Sequence, residues 1–326
     1  MKMLVDGVWR AEGDYAHDPG GRFMRAETQF RDWVTADGAP GPTGEGGFKA
    51  EPGRYRLYVS LACPWAHRTL IFRKLKGLEA LIDVSVVNWL WGDDGWTFAP
   101  GQGVIGDPVL KAEKLYELYA ASLSHYTGRC SVPILFDTQR RRIVNNESSE
   151  IIRMLNSAFD GVGAKAGDFY PAELCEEIDA LNARIYPTVN NGVYRCGFAR
   201  TQEAYDAAYD ALFAVLDEIE ARLARQRYLT GRTLTEADWR LFPTLVRFDV
   251  AYFSVFKCNR QRIADYPNLW NYVRELYAFP GIAATVKPRL YVQGYYSIAK
   301  VNPTGIIPKG TPVDFRAPHD RAKLAA

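Results

Sequence analysis

Four short runs rich in β-branched and aromatic residues, YRLYVS (55–60), IDVSVVN (82–88), VPILFD (132–137) and RIV (142–144), predict strands. Between them WAHRTLIFRKLKGL (65–78) carries apolar residues at helical spacing and runs into Gly77, and SSEIIRMLNSAF (148–159) repeats that spacing behind a serine. The order is β-α-β followed by β-β-α, an α/β domain over residues 55–160. Beyond residue 170 strand signals become rare, and helical patterns at roughly 172–191, 202–226, 236–256 and 267–278 predict an all-helical domain over 170–300. Residues 1–54 include the Gly- and Pro-rich ADGAPGPTGEGGFKAEPG and predict an irregular extension, and 301–326 predict a tail of the same kind. In LTEADWRLFPTLVRFD (234–249), Thr235 stands three residues before Asp238, a capping-box pattern ahead of an apolar run. That role is structural and keeps Asp238 out of the active site.

Composition narrows the class of partner. A 326-residue chain with 48% hydrophobic residues has the material for two buried cores. Forty basic against 38 acidic side chains leave a net charge of +2, and no run of like charge marks a nucleic-acid or membrane surface, so small molecules are the expected partners. The start, MKMLVDGVWRAEGDY, has no apolar core of signal-peptide length, and no stretch reaches the roughly eighteen apolar residues of a membrane span, which predicts a cytoplasmic location. The five cysteines are odd in number and scattered without a CxxC pair, and the four histidines show no HxH or HExxH spacing. Disulfides and a metal site are not expected.

The strongest chemical signal is SLACPWAHR (60–68). A strand delivers Cys63 to a turn, Pro64 takes the first helical position, where its missing N–H costs nothing, and a helix follows. At a helix N-terminus, unpaired N–H groups and the helix dipole stabilise a thiolate, and such cysteines fall from ~8.5 to roughly 3.5–7.5 in pKa. Arg68, one turn on, adds positive charge. Dithiol oxidoreductases carry a second cysteine three positions after the first, where this chain has Ala66. A mixed disulfide on Cys63 is then resolved by an external thiol, and glutathione is the natural one.

The strand-Cys-Pro-helix, Val132-Pro133 opening a later strand, Glu147-Ser148 before a helix and the helical second half resemble cysteine-type glutathione transferases, with their thioredoxin-like N-terminal domain and C-terminal helical bundle. More narrowly, GRFMRAETQFR (21–31), residues 37–79, NNESSEI (145–151) and QGYYSI (293–298) resemble the glutathionyl-hydroquinone reductases, the Xi class. The resemblance implies a cis Pro133, with the backbone of Val132 pairing with the glutathione cysteinyl group. It implies that Ser148 and the helix N–H groups hold the γ-glutamyl carboxylate, that Glu147 meets the ammonium, and that Trp96 and Arg129 complete the cleft. Tyr194, Tyr252 and Tyr295 resemble the family's hydroquinone-binding tyrosines, with Tyr296 a close competitor of Tyr295. Among 19 tyrosines none stands out without the resemblance.

The implied reaction uses glutathione as co-substrate and no metal. Cys63 attacks the sulfur of an S-glutathionyl-hydroquinone, forming a Cys63–glutathione disulfide and free hydroquinone, and a second glutathione releases oxidised glutathione. An aryl carbanion is too basic to depart, so the ring carbon gains a proton through a keto tautomer that the tyrosine hydroxyls stabilise. A homodimer is expected by resemblance. The competing readings are an omega-type thioltransferase or dehydroascorbate reductase, separated by turnover of simple mixed disulfides, and a non-catalytic transferase-like binding module, against which the retained Cys63 and Glu147-Ser148 speak. A cysteine hydrolase using His67 lacks a placed orienting group.

Overall fold

Strand β3 (Tyr55–Val59) does not alternate apolar with polar, because both faces of its sheet are covered. Tyr55, Leu57, Tyr58 and Val59 are all buried. The computed structural model, which describes residues 2–310 and 312–324, divides into two units. One comprises Met1–Asp14 and Ala26–Gly167, the other Tyr15–Arg25 and Asp168–Ala326.

The first unit holds a small antiparallel hairpin, β1 (Met3–Val5) and β2 (Val8–Arg10), and a four-stranded sheet in the order β4-β3-β5-β6. Strand β4 (Ile82–Val86) pairs parallel with β3, while β5 (Ile134–Asp137) and β6 (Arg142–Asn145) add antiparallel. The parallel pair requires a crossover, supplied by α1 (Pro64–Leu75), which ends at Lys76 ahead of Gly77 at φ +63°. Helices α2 (Leu115–Ser122) and α3 (Ser148–Ser157) complete the unit. Ile71 and Phe72 of α1 and Ile151, Ile152 and Leu155 of α3 are buried with Leu57, Ile134 and Phe136 of the sheet. The β-α-β and β-β-α order expected from the strand and helix pattern is present, with the thioredoxin-like layering that the resemblance implied, and β1, β2 and α2 are additions that the pattern did not show.

The second unit consists of α4 (Cys175–Ile185), α5 (Gly192–Gly197), α6 (Gln202–Leu223), α7 (Glu236–Arg247), α8 (Phe253–Val255), α9 (Pro267–Ala278) and α10 (Pro288–Tyr296). The stretches expected as single helices over 172–191 and 236–256 are broken by π turns at Tyr186–Asn190 and Phe248–Tyr252. In each the hydrogen bond spans one residue more than in an α-helix, as in Asn191 N–H to the Tyr186 carbonyl at 2.8 Å. The capping box at α7 forms as the sequence predicts. The carboxylate of buried Asp238 accepts from Thr235 N (2.8 Å), Leu229 N (2.9 Å) and the Tyr272 hydroxyl (2.7 Å), and so staples α7 to the preceding turn and to α9.

The chain before residue 55 is not one piece. Tyr15–Arg25 packs on the helical unit, where Arg200 N donates to the Gly21 carbonyl and Tyr15 and Phe23 lie against Phe198. The tail is also tied down, since buried Arg321 donates to the carbonyls of Leu223, Gln226 and Arg227 at the end of α6.

Candidate active site

Cys63 occupies the N-cap of α1 with extended backbone (φ −75°, ψ 126°) and Pro64 as the first helical residue. Its N–H closes the turn onto the Ser60 carbonyl at 3.1 Å. The half-buried thiol lies 3.5 Å from the Val132 carbonyl, so the sulfur of Cys63 and the backbone just before β5 are brought together. The Val132–Pro133 peptide is cis. Tyr119 holds this loop: its hydroxyl donates to the Ser131 carbonyl (2.8 Å) and accepts from Ser131 N (3.0 Å) and from the side chain of Asn146 (3.1 Å). One phenol thereby fixes both the approach to Val132 and the approach to Glu147. By contrast, burial pushes the thiols of Cys130 and Cys258 well up, which leaves them inert at neutral pH.

Glu147, not Ser148, is the N-cap of α3, and its carboxylate accepts from Ser149 N at 3.0 Å and from the Ser149 hydroxyl at 2.9 Å. The second carboxylate oxygen lies 3.4 Å from the Thr28 hydroxyl. Ser148 is the first residue of the helix, buried, with its hydroxyl 3.4 Å from Nη1 of Arg68. Arg68 is buried too, its guanidinium 4.6 Å over the Trp65 ring. The sequence pointed to Arg68 as a charge near the thiol; the structure gives it a further contact on the serine of α3. Trp96 is half-buried in the long loop after β4, its carbonyl accepting from Leu115 N at 2.9 Å. Half-buried Arg129 accepts at its carbonyl from the Tyr126 hydroxyl, beside the Leu4–Gly128 bridge.

In the helical unit three tyrosines far apart in sequence converge. The hydroxyl of Tyr295 lies 2.6 Å from that of Tyr194 and 2.7 Å from that of Tyr252. Tyr194 comes from α5, Tyr252 from the end of the second π turn and Tyr295 from α10. Tyr296 points elsewhere, its hydroxyl bonded to that of Ser254, so of the two neighbours Tyr295 is the one that joins the cluster. Burial holds Tyr252 and Tyr295 well above the ordinary phenol range, with their tyrosine neighbours adding to it, so both stay neutral donors.

Around the hydroxyls stands an aromatic cage that the sequence did not single out. Phe256 packs 5.4 Å from Tyr194, stacks on Tyr252 at 5.4 Å and meets Tyr295 edge-on at 5.5 Å. Arg25 lies 4.8 Å over the Tyr194 ring and is anchored by Asn191 at 2.8 Å. A Cβ on Gly197 would fall 2.3 Å from Cδ1 of Phe256. Gly197→Ala is therefore expected to overpack the cage and lower stability by roughly 1–3 kcal/mol. A shifted denaturation midpoint at constant m checks this, and an unchanged midpoint would mean the cage is loose.

Two family models match the chain: the glutathione S-transferase N-terminal domain over residues 62–158 and the C-terminal domain over 202–275. The chain belongs to the glutathione S-transferase family, and within it to the Xi class of glutathionyl-hydroquinone reductases. Glutathionyl-hydroquinone reductase YqjG of Escherichia coli is 55% identical over 98% of both chains, and PcpF of Sphingobium chlorophenolicum is 54% identical over 95% of this chain and 96% of its own. The glutathione-bound structure of YqjG matches with a TM-score of 0.91, covering 98% of this chain and 99% of that one. A Xi-class transferase from Natrialba magadii, 46% identical, matches at 0.92 over 99% and 98%.

Among the described residues no group of three or more His, Cys, Asp or Glu is placed to hold a metal ion, and no helix is long and apolar enough to cross a membrane.

Proposed function

We propose that this chain reduces S-glutathionyl-hydroquinones to hydroquinones with glutathione as co-substrate. The observation that carries the reading is the pairing, in one chain, of a Cys-Pro helix N-terminus with a cluster of neutral tyrosine hydroxyls centred on Tyr295. The Cys63 thiolate attacks the glutathionyl sulfur, the C–S bond breaks, and the ring carbon takes up a proton. A second glutathione attacks the Cys63 disulfide and regenerates the thiolate. The net change is one glutathionyl-hydroquinone and one glutathione converted to one hydroquinone and one oxidised glutathione.

The site residues divide the work. The backbone of Val132 pairs with the cysteinyl group of glutathione. The Ser148 hydroxyl and the first N–H of α3 hold the γ-glutamyl carboxylate, with Arg68 fixing the serine. Glu147 meets the ammonium, and Trp96 and Arg129 close the cleft. Tyr194, Tyr252 and Tyr295 donate to the ring oxygens and stabilise its keto tautomer. Product stoichiometry tests the reaction: hydroquinone and oxidised glutathione should appear one to one. Hydroquinone formed without oxidised glutathione would contradict it. The same reading takes the protein as a cytoplasmic homodimer. Light scattering on the eluting peak should give twice the 36.7 kDa chain mass, and a monomer mass would remove that part.

A further inference from the structure

Arg25 is the last residue of the strap that packs on the helical unit, and its guanidinium lies over two rings, Phe23 at 5.4 Å and Tyr194 at 4.8 Å. The side chain is half-buried, and its Nε–H donates to Oδ1 of Asn191 at 2.8 Å. Asn191 is itself buried and occupies the N-cap of α5, and Tyr194 follows three residues later on the same turn. Anchor and target therefore belong to one element, and two contacts on it fix the cation relative to the phenol.

The strap that carries Arg25 is held at several points. Gly21 lies at φ +77° with its carbonyl accepting from Arg200 N at 3.1 Å, and a Cβ there would fall 2.9 Å from Cγ2 of Thr201. The two ring nitrogens of His17 lie 2.7 and 2.8 Å from the carbonyls of Tyr15 and Phe198. Phe23 packs 5.4 Å from Phe198, whose ring stacks on that of Tyr194 at 6.4 Å. A cation distant in sequence is thus presented to the face of a tyrosine whose hydroxyl bonds to that of Tyr295.

A guanidinium over an aromatic face is attracted by the π density of the ring and draws that density away from the ring substituent. For a phenol this strengthens the O–H as a donor, and the gain is largest when the accepting oxygen carries negative charge. Cleavage of the keto tautomer creates that charge. As the thiolate takes the glutathionyl sulfur, the C–S pair becomes a ring double bond and the carbonyl pair moves onto oxygen, which takes up a proton.

We propose that Arg25 is a positioning residue for hydroquinone reduction, which orients the Tyr194 ring and through it reinforces the hydroxyl that donates to the ring oxygen of the substrate. This rests on Tyr194 acting as that donor, and a double-mutant cycle separates the two claims.

Turnover of an S-glutathionyl-hydroquinone and of a small glutathione mixed disulfide is measured for Arg25→Gln, Arg25→Lys, Tyr194→Phe and the combination of Arg25→Gln with Tyr194→Phe. Arg25→Gln keeps an amide donor and loses the charge. Its kcat on the hydroquinone substrate should fall about tenfold, with KM changed by less than about threefold and mixed-disulfide turnover by less than about twofold. Arg25→Lys, which restores the charge, should return to within about threefold of wild type. In the Tyr194→Phe background Arg25→Gln should cost less than about twofold further, because the hydroxyl it acts through is gone. Equal losses on both substrates, the full loss retained in the Tyr194→Phe background, or no recovery with Arg25→Lys would overturn the proposal. A loss in Tyr194→Phe with none in Arg25→Gln overturns it while leaving Tyr194 as the donor, whereas no loss in Tyr194→Phe removes both.

Discussion

Turnover of an S-glutathionyl-hydroquinone by the Cys63→Ser protein is expected to fall by at least about a thousandfold, with glutathione affinity changed by less than about threefold. A serine hydroxyl keeps the size and the N-cap position but forms no disulfide, so the chemical step disappears. The groups assigned to glutathione, from the Val132 backbone to Ser148, are untouched. Iodoacetamide should alkylate Cys63 in the wild type with a midpoint below the ~8.5 of a free thiol, because Cys63 occupies the N-cap position at the positive end of α1. Cys130 and Cys258, held in the neutral form by burial, should resist the reagent. Substantial turnover by the serine variant would move the nucleophile elsewhere, and a midpoint at the free value would show that the helix end does not activate the sulfur.

Removing a phenolic hydroxyl should separate two kinds of substrate. A disulfide leaves as a thiolate and needs no ring protonation, whereas a thioether on a hydroquinone does. Phe at position 194, 252 or 295 keeps the ring and deletes the oxygen. Each change is expected to lower hydroquinone-substrate turnover by about 10 to 1,000-fold, the scale of a lost transition-state donor or positioned acid. Tyr295→Phe should give the largest loss, because the hydroxyls of Tyr194 and Tyr252 both bond to that of Tyr295. Turnover of a small glutathione mixed disulfide should barely move.

The sign of the phenol shifts adds a pH arm. Tyr252 and Tyr295 are raised above 10, so they remain protonated donors through the neutral range and contribute no inflection there. The acid limb of the rate should then follow Cys63 alone. Equal losses on both substrates would reduce the tyrosines to shaping the cleft, and no loss on either would remove them from the site.

Much of the first unit was legible because its signals are local. β3 and β4 are runs of β-branched and aromatic residues, and Cys63-Pro64 is a strand-to-helix turn with its own stereochemistry; in the second unit the capping box of Thr235 with Asp238 is local in the same way, within four residues. What escaped depends on contacts distant in sequence or on weak local preference. The hairpin β1–β2 has strands of three residues each, and α2 has eight, too short for a periodic pattern to rise above its surroundings. α10 is rich in tyrosine and contains Gly294, both poor helix formers, and it is held by the burial of Leu290, Tyr291, Tyr295 and Tyr296. The π turns are invisible to a 3.6-residue period, yet Tyr252 closes one of them.

The candidate site shows the same division. Tyr194, Tyr252 and Tyr295 could be singled out only through resemblance, since no spacing links residues 43 and 101 positions apart. Arg25 and Phe256, which frame the cluster, were not singled out as residues: Arg25 lies within GRFMRAETQFR, a run marked only by the resemblance, and Phe256 reads as an ordinary core aromatic. Likewise, the pair Glu147-Ser148 before a helix did not show which residue caps α3; Glu147 does, its carboxylate reaching Ser149 N two residues on.

The central claim is that the glutathionyl group passes through Cys63. The direct measurement is intact-protein mass spectrometry, with peptide mapping, after one equivalent of an S-glutathionyl-hydroquinone is added in the absence of free glutathione. The account predicts one glutathione on Cys63, an equal amount of free hydroquinone, and loss of the adduct when glutathione is added. Hydroquinone released with no adduct on Cys63, or an adduct on another cysteine, would contradict it.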